Sequence, residues 1–323
     1  MLSQKRGDDM KVGFIGAGRA GCSLGRYFAD KSDGMQVAGY YSLVEEEAIW
    51  AAAQTGSVCY KTPEEVLAAV DSLIISTSDG AVKGVWESIS KENLEGRIIC
   101  HLSGSLSSDV FSGIEAYGAY PLSIHPMFAF SSRESDLQQL QEVCFTLEGA
   151  PQAVSAWQRV FGLMGNPVEV IRKECKPSYH AAASLLSNHV IAVLSEGYAL
   201  LKECGFTEES ARQFTATLVR ENVERVIEKG CVEALTGPIE RGDFETVQKH
   251  LRALNASATE IHSECKKDNY PASGEEIHPG NGEEIHPAFG KEIYYACGKE
   301  LLRLAQQKNP ERDYSRMRKL LYV

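Results

Sequence analysis

The sequence predicts an α/β protein: a doubly wound parallel sheet over residues 1–173, followed by an all-α C-terminal domain over residues 174–323. Three observations predict it. Short apolar runs alternate with helix-type segments as far as about Lys173, the pattern of βαβ crossovers. The first of these runs leads straight into a glycine-rich turn, Gly16-Ala17-Gly18-Arg19-Ala20-Gly21. From Pro177 onward, one helix-type segment follows another.

Taken in order, Val12–Ile15 is a short strand and Cys22–Ala29 a helix. Gln36–Ser42 is a second strand, Glu45–Gln54 a helix and Val58–Tyr60 a short strand. Thr62–Val70 is a helix with Thr62 as N-cap and Pro63 at its first position. Ser72–Ser76 and Arg97–Leu102 have fully apolar cores, as buried parallel strands do. Two further short strands fit Tyr120–Ile124 and Cys144–Glu148. Helices then cover Ser178–Cys204, Glu208–Lys229, Asp243–Asn255 and Lys291–Gln307, the first two closed by Gly205 and Gly230. Residues 263–290 read as a loop insertion. Within it the six residues Gly274–Pro279 recur at Gly282–Pro287, and in decayed form at Gly290–Tyr295. His278 and His286 suggest a metal tract, but Pro and Gly deny them a fixed geometry. A duplicated exposed loop is the simpler reading.

The 323 residues suffice for two domains at ~100–200 residues each. With 43% apolar and 24% charged residues, the mix is that of an ordinary globular chain. A formal net charge of −11, with no Lys/Arg block, argues against nucleic acid or an anionic membrane as partner. No apolar run reaches the ~18 residues of a membrane span. The least polar segment, Ala181–Ser195, is interrupted by Ser184, Ser187, Asn188 and His189. The first residues lack the apolar core of a secretory signal. They read as a loose leader, and Met10 as an alternative start. None of the nine cysteines forms a CxxC pair, so neither a disulfide framework nor a zinc site is expected. The expectation is a cytoplasmic protein with reduced thiols, no metal and a small-molecule substrate.

The glycine turn carries the clearest chemistry. A strand precedes it and a helix follows, the context of a Rossmann dinucleotide fingerprint. Gly16 allows the tight turn, Gly18 lets a pyrophosphate approach the backbone, and Gly21 lets the helix pack on its strand. Together with Ala17, Arg19 and Ala20, these residues present free N–H groups and the positive helix end to phosphates. NAD enzymes usually place an acid at the end of the second strand, on the ribose diol. Here that strand ends Tyr40-Tyr41-Ser42, and Glu45–Glu47 come later, on the next helix. Ser42 and Arg19 at the adenosine end favour NADP, with NAD the alternative. Thr77 and Ser78 follow one buried strand, Ser103 and Gly104 the next. Carboxyl ends of such strands bind ligands, and residues this small would let ribose and nicotinamide come close. Ordinary turns use the same residues.

Three further places hold candidate chemistry. His125 can donate to cofactor or substrate, or simply close a strand end, whereas His101, inside an apolar run, reads as core. His180, Ser184 and Asn188 are four apart and form a polar stripe on an apolar helix. Such a stripe must find partners or face a cleft. Histidine is the side chain suited to proton delivery near neutral pH, which points to His180; a polar contact in a dimer interface accounts for the same stripe. In Leu235–Asp243, Asp243 can cap the next helix. Thr236 and Arg241 can reach a cleft, with Arg241 on a carboxylate, or belong only to the loop.

Five motifs fall in order: GFIGAGRAG, HLSGSLS, SIHPM, YHAAASLLSNH and ALTGPIERGD. Together they resemble the Rossmann-like proteins that carry the DUF2520 helical domain, over roughly Lys11–Leu254 and again from Glu292. That family is grouped with the 6-phosphogluconate dehydrogenase, 3-hydroxyisobutyrate dehydrogenase and pyrroline-5-carboxylate reductase-like proteins. The resemblance implies an NAD(P)-binding domain, a helical domain, usually a homodimer, and NADP oxidoreductase activity on a substrate not established for the family. Two departures stand out. Hydroxyacid dehydrogenases of the superfamily carry a catalytic Lys four residues before an Asn on the first long helix. Here Ser184 holds that place before Asn188, and Lys176 lies at the helix entrance, so His180 becomes the expected acid. The insertion at 263–290 is the second departure.

The expected function is therefore NAD(P)-dependent oxidation or reduction of a small polar carbonyl, hydroxyl or imine compound. His180, Asn188 and His125 are the expected catalytic set, with Ser184, Thr236 and Arg241 on the substrate. A dinucleotide-binding sensor without turnover and a deazaflavin F420-dependent oxidoreductase are the alternatives.

Overall fold

The computed structural model describes residues 10–31, 34–255 and 287–322. The leader, and the repeat as far as His286, lie outside the described residues; the end of the expected insertion and the decayed copy Gly290–Tyr295 are helical, in the helix that runs Pro287–Lys308.

The chain begins with β1 (Met10–Ile15), α1 (Arg19–Lys31), β2 (Met35–Tyr41), α2 (Glu45–Thr55), β3 (Val58–Cys59) and α3 (Pro63–Ala69). It continues through β4 (Ser72–Ile75), α4 (Asp79–Ser88), β5 (Ile98–His101), β6 (Tyr120–Pro126), α5 (Leu137–Gln141), β7 (Phe145–Gly149), α6 (Pro151–Met164) and β8 (Val168–Val170). The strands form one sheet in the order β3-β2-β1-β4-β5-β6-β7-β8. All pairs are parallel except β6 with β7. From β1 the chain builds outward to β3, then returns to add β4 on the other side. That reversal opens a crevice at the carboxyl ends of β1 and β4.

Period-two alternation divides the strand side chains between two layers. Val12, Phe14, Ile74, Cys100, Leu122 and Ile124 pack with α1, α2 and α6. Ile15, Leu73, Ile75 and Ile99 pack with α3 and α4. Thr62 caps α3, its hydroxyl accepting from the Glu65 N–H at 3.2 Å. The β5–β6 crossover carries two short 3-10 turns, Ser108–Val110 and Ile114–Tyr117, in place of an α-helix.

After β8 come α7 (Lys176–Leu185), α8 (Asn188–Glu203), α9 (Glu208–Ala234), α10 (Pro238–Arg241), α11 (Phe244–Ala253), α12 (Pro287–Lys308) and α13 (Ser315–Leu321). The residues group into two units, 1–186 and 187–323, so α7 sits with the sheet. The single helix expected over Ser178–Cys204 is two helices. Ser187 adopts φ −124°, ψ −84° and ends the first run. No Gly or Pro marks the break. The short polar side chains of Ser187 and Asn188 are of the kind that compete with helical backbone bonds. The four-residue spacing therefore does not extend the His180–Ser184 face to Asn188. Gly205 (φ +91°) and Gly230 (φ +77°) stand where helix ends were expected; beyond Gly230 a further turn runs to Ala234.

The second unit has a core of Ile239, Val247, Leu251, Leu302, Ala305, Tyr314, Met317 and Leu321. Helices α8 and α9 contribute no residue to that core. Among the described residues α8 buries none, and α9 buries only Ala211 and Ala234.

One buried polar knot ties α1 to the segment before β7. The Tyr27 hydroxyl donates to Asn166 Oδ1 at 2.6 Å. Asn166 Nδ2 faces the carbonyls of Leu140, Val143 and Gln141 at 2.9, 3.1 and 3.2 Å. Replacing Asn166 by Ala strands a phenol and three carbonyls. The unfolding free energy from urea denaturation is expected to fall by about 3 kcal/mol.

Candidate functional site

The glycine turn lies between β1 and α1. At Gly16, φ is +106°, and a Cβ would sit 3.2 Å from the Thr77 backbone nitrogen. At Gly21 a Cβ would come within 2.5 Å of Ser76 Oγ, which itself donates to the Gly16 carbonyl at 2.8 Å. The end of β4 therefore requires both glycines. Gly18 differs, because a Cβ there would meet nothing within 4 Å. Helix α1 starts at Arg19 with no acidic residue in its first turn, so its positive end is uncompensated. Beside it, the buried Thr77 Oγ1 has no hydrogen-bond partner among the described residues. Open space over a glycine, a free helix end and an orphaned hydroxyl fit a phosphate and ribose.

The remaining residues expected at a cofactor surround this turn. Ala17 is buried, Ala20 half-buried and Arg19 exposed. Ser78 is the N-cap residue of α4 and is exposed. Ser42 follows β2, its hydroxyl accepting from the Val44 N–H at 3.4 Å. The acids after it begin α2, where Glu45 pairs with Lys61 and Glu47 with Arg133.

A second cluster forms at the ends of β5 and β6. Ser103 Oγ and Ser105 Oγ donate to one oxygen of Asp79, at 2.6 and 2.8 Å. The backbone between them passes close to two imidazoles. His125 Nε2 and His180 Nδ1 each lie 2.7 Å from the point a Gly104 Cβ would occupy. Only glycine leaves room there for both rings, whose centroids are 6.4 Å apart at 83°. His125 Nδ1 is 2.6 Å from the Tyr179 hydroxyl. His180 is exposed and Ser184 half-buried, one turn on along α7.

Beneath this ledge lies a residue that the sequence reading set aside. Lys176, 1% exposed, donates to the Ser103 carbonyl at 2.8 Å and to Ser123 Oγ at 2.7 Å. It enters the cluster from the start of α7, not from the position four residues before Asn188 where a lysine was sought. A cation opposes the positive end of a helix, so a Lys in a first turn is the sequence signal that could have marked it. Burial lowers its pKa to about 8, against the opposing pull of Glu148 and Asp79. Burial, then Lys176 and His180, pushes His125 down to about 4. Burial and Lys176 push His101 to about 4 as well. His101 is wholly buried, accepting at Nδ1 from the Ser103 N–H (3.1 Å), with Nε2 3.2 Å from the Ser107 carbonyl.

Asn188, Thr236 and Arg241 belong to the second unit. Asn188 begins α8 and is exposed; Arg241 ends α10 and is exposed. Thr236 lines a mostly apolar cavity of about 370 Å³ among α8, α11 and α12. Asp243 does cap α11, accepting from the Thr246 N–H at 3.1 Å.

The chain matches the Rossmann-like domain over residues 2–126 and the domain of unknown function DUF2520 over residues 143–268. It is a Rossmann-like, DUF2520-containing protein. No curated protein matches it. Among solved structures, a Thermotoga maritima protein, TM1727, is similar at 23% identity and TM-score 0.65, over 92% of this chain and 99% of its own. An imine reductase from Pseudomonas sp. is similar at 17% and 0.56, over 80% and 92%. A Plasmodium falciparum pyrroline carboxylate reductase with NADP bound is similar at 12% and 0.51, over 94% and 98%. At these identities the likeness is one of fold, which this DUF2520 protein shares with NAD(P)-dependent reductases. Among its described residues no helix is long and apolar enough to cross a membrane.

The histidine shifts make stability depend on pH. A histidine near 4 when folded and near 6.5 when unfolded holds fewer protons in the native state between those values. The contribution is full above about 6.5 and is lost as pH falls through about 4. Urea midpoints are expected to drop steadily over that window, and less steeply in His125→Asn.

Proposed function

We propose that this protein is an NAD(P)-dependent oxidoreductase, with NADP preferred, acting on a small polar carbonyl, hydroxyl or imine substrate. The observation that carries the reading is the convergence of His125 Nε2 and His180 Nδ1 over Gly104. That point stands at the carboxyl end of β5, two strands from the glycine turn, where such sheets bind ligands. Structural neighbours named as an imine reductase and as a pyrroline carboxylate reductase with NADP bound support the same class.

Phosphates would be held by Gly16–Gly21, with Thr77, Ser78 and Ser103 along the ribose and nicotinamide. The preference for NADP rests on Arg19 and Ser42, and on Glu45 and Glu47 already being paired with cations. The bound nicotinamide supplies or takes up hydride. His180, open to solvent, delivers or removes the proton at the substrate oxygen or nitrogen. His125 holds that atom, and Ser184 lies on the His180 face of α7.

The protein acts as a homodimer through that unit. Phe214 (76%), Leu218 (65%) and Ile227 (78%) on α9 and Ile191 (67%) on α8 are exposed apolar side chains on helices with almost no buried face of their own. Large apolar side chains exposed at several positions along both helices support an interface. Light scattering is expected to give twice the chain mass. The pair Phe214→Glu and Ile227→Glu is expected to give one; a monomeric wild type rejects the dimer.

Fluorescence titration is expected to find NADPH bound at least tenfold more tightly than NADH, with Arg19→Ala removing about that tenfold for NADPH alone. On whichever carbonyl or imine compound supports NADPH oxidation, His180→Ala is expected to lower kcat about 100- to 10,000-fold and leave NADPH affinity unchanged. An unchanged rate would remove His180 from the chemistry.

A further inference from the structure

We propose that Tyr179 is a positioning residue that fixes the tautomer of His125. Its phenol donates to Nδ1, which leaves the ring proton on Nε2 as a neutral hydrogen-bond donor facing the space over Gly104. That this donor serves a carbonyl or imine group rests on the function proposed above; the tautomer itself does not.

The length of the bond fits one direction better than the other. O–H donors reach their acceptors at about 2.5–3.0 Å, whereas N–H···O bonds run at about 2.7–3.2 Å. The 2.6 Å between the Tyr179 hydroxyl and His125 Nδ1 fits the phenol as donor. The groups around the ring agree. Lys176, His180, Asp79 and His101 all act on His125, and three of the four disfavour a second proton on it. Burial raises the Tyr179 phenol, against a hydrogen bond with Thr146 that lowers it, so the phenol keeps its proton at ordinary pH. A neutral imidazole has one N–H; if Nδ1 accepts, Nε2 carries it. Nε2 is also the atom that reaches Gly104.

The two histidines over Gly104 thereby divide their work. His125, tethered and neutral, cannot deliver its proton at ordinary pH, but it can stabilise charge that develops on the atom it faces. His180, exposed and outside that tether, is the one able to exchange protons with solvent. The pattern is two like groups set to different roles by their surroundings.

The test uses the full chain labelled with ¹⁵N-histidine, at pH 7, read by long-range ¹H–¹⁵N correlation. His125 is assigned by the signal that His125→Gln removes. The expected wild-type pattern is an unprotonated Nδ1 and a protonated Nε2. Tyr179→Phe is expected to shift His125 toward a mixture of tautomers while NADPH affinity, titrated in parallel, stays unchanged. A protonated Nδ1 in the wild type overturns the proposal, as does an unchanged tautomer in Tyr179→Phe. If the variant fails to fold, the wild-type pattern alone decides the direction of the bond. The expected tautomer in a protein that binds no dinucleotide would reject the proposed function and leave the assignment standing.

Discussion

Lys176 brings a positive charge to a place with almost no water, at the end of a helix that disfavours it. An ammonium there is tolerable only with oxygens arranged around it. The Ser103 carbonyl, just after β5, and the Ser123 hydroxyl, on the adjacent β6, meet that need. One ion thus pins the start of α7 to the ends of β5 and β6. Tyr179 and His180 follow on the next turn, so their positions over the sheet derive from that anchor. The charge also reaches outward, since Lys176 is the strongest charged influence on both His101 and His125.

The sheet was readable because buried parallel strands are written as plain apolar runs. Val12–Ile15, Ser72–Ile75 and Ile98–His101 could hardly be anything else, and the glycine turn after the first gave the direction of reading. The candidate site was readable only in pieces. Gly104, His125 and His180 each carried a signal, but their meeting depends on how α7 docks, which no local pattern encodes. Lys176 was passed over because a spacing rule, Lys four before Asn, was applied to a helix that turns out to be two. Helix breaks at Ser-Asn pairs leave a faint mark compared with those at Gly or Pro, so the split at Ser187 stayed hidden.

The helical unit illustrates a different limit. The pattern located its longer helices, apart from the break at Ser187, and missed the short α10 and α13; a helix's apolar residues do not say which neighbour they meet. In α10–α13 they meet each other. In α8 and α9 several, among them Ile191, Phe214, Leu218 and Ile227, stay exposed among the described residues.

The three glycines of the turn do not answer to the same constraint. Those at positions 16 and 21 are held by the end of β4, whatever else the protein does. A side chain at 18 would meet no described atom of the chain within 4 Å, so the fold itself does not require a glycine there. Over evolutionary drift the three should part company. A lineage without a nucleotide to bind would retain the outer two, which the fold needs, and let the middle one go. A single position thus separates lineages that still carry a guest from those that kept only its house.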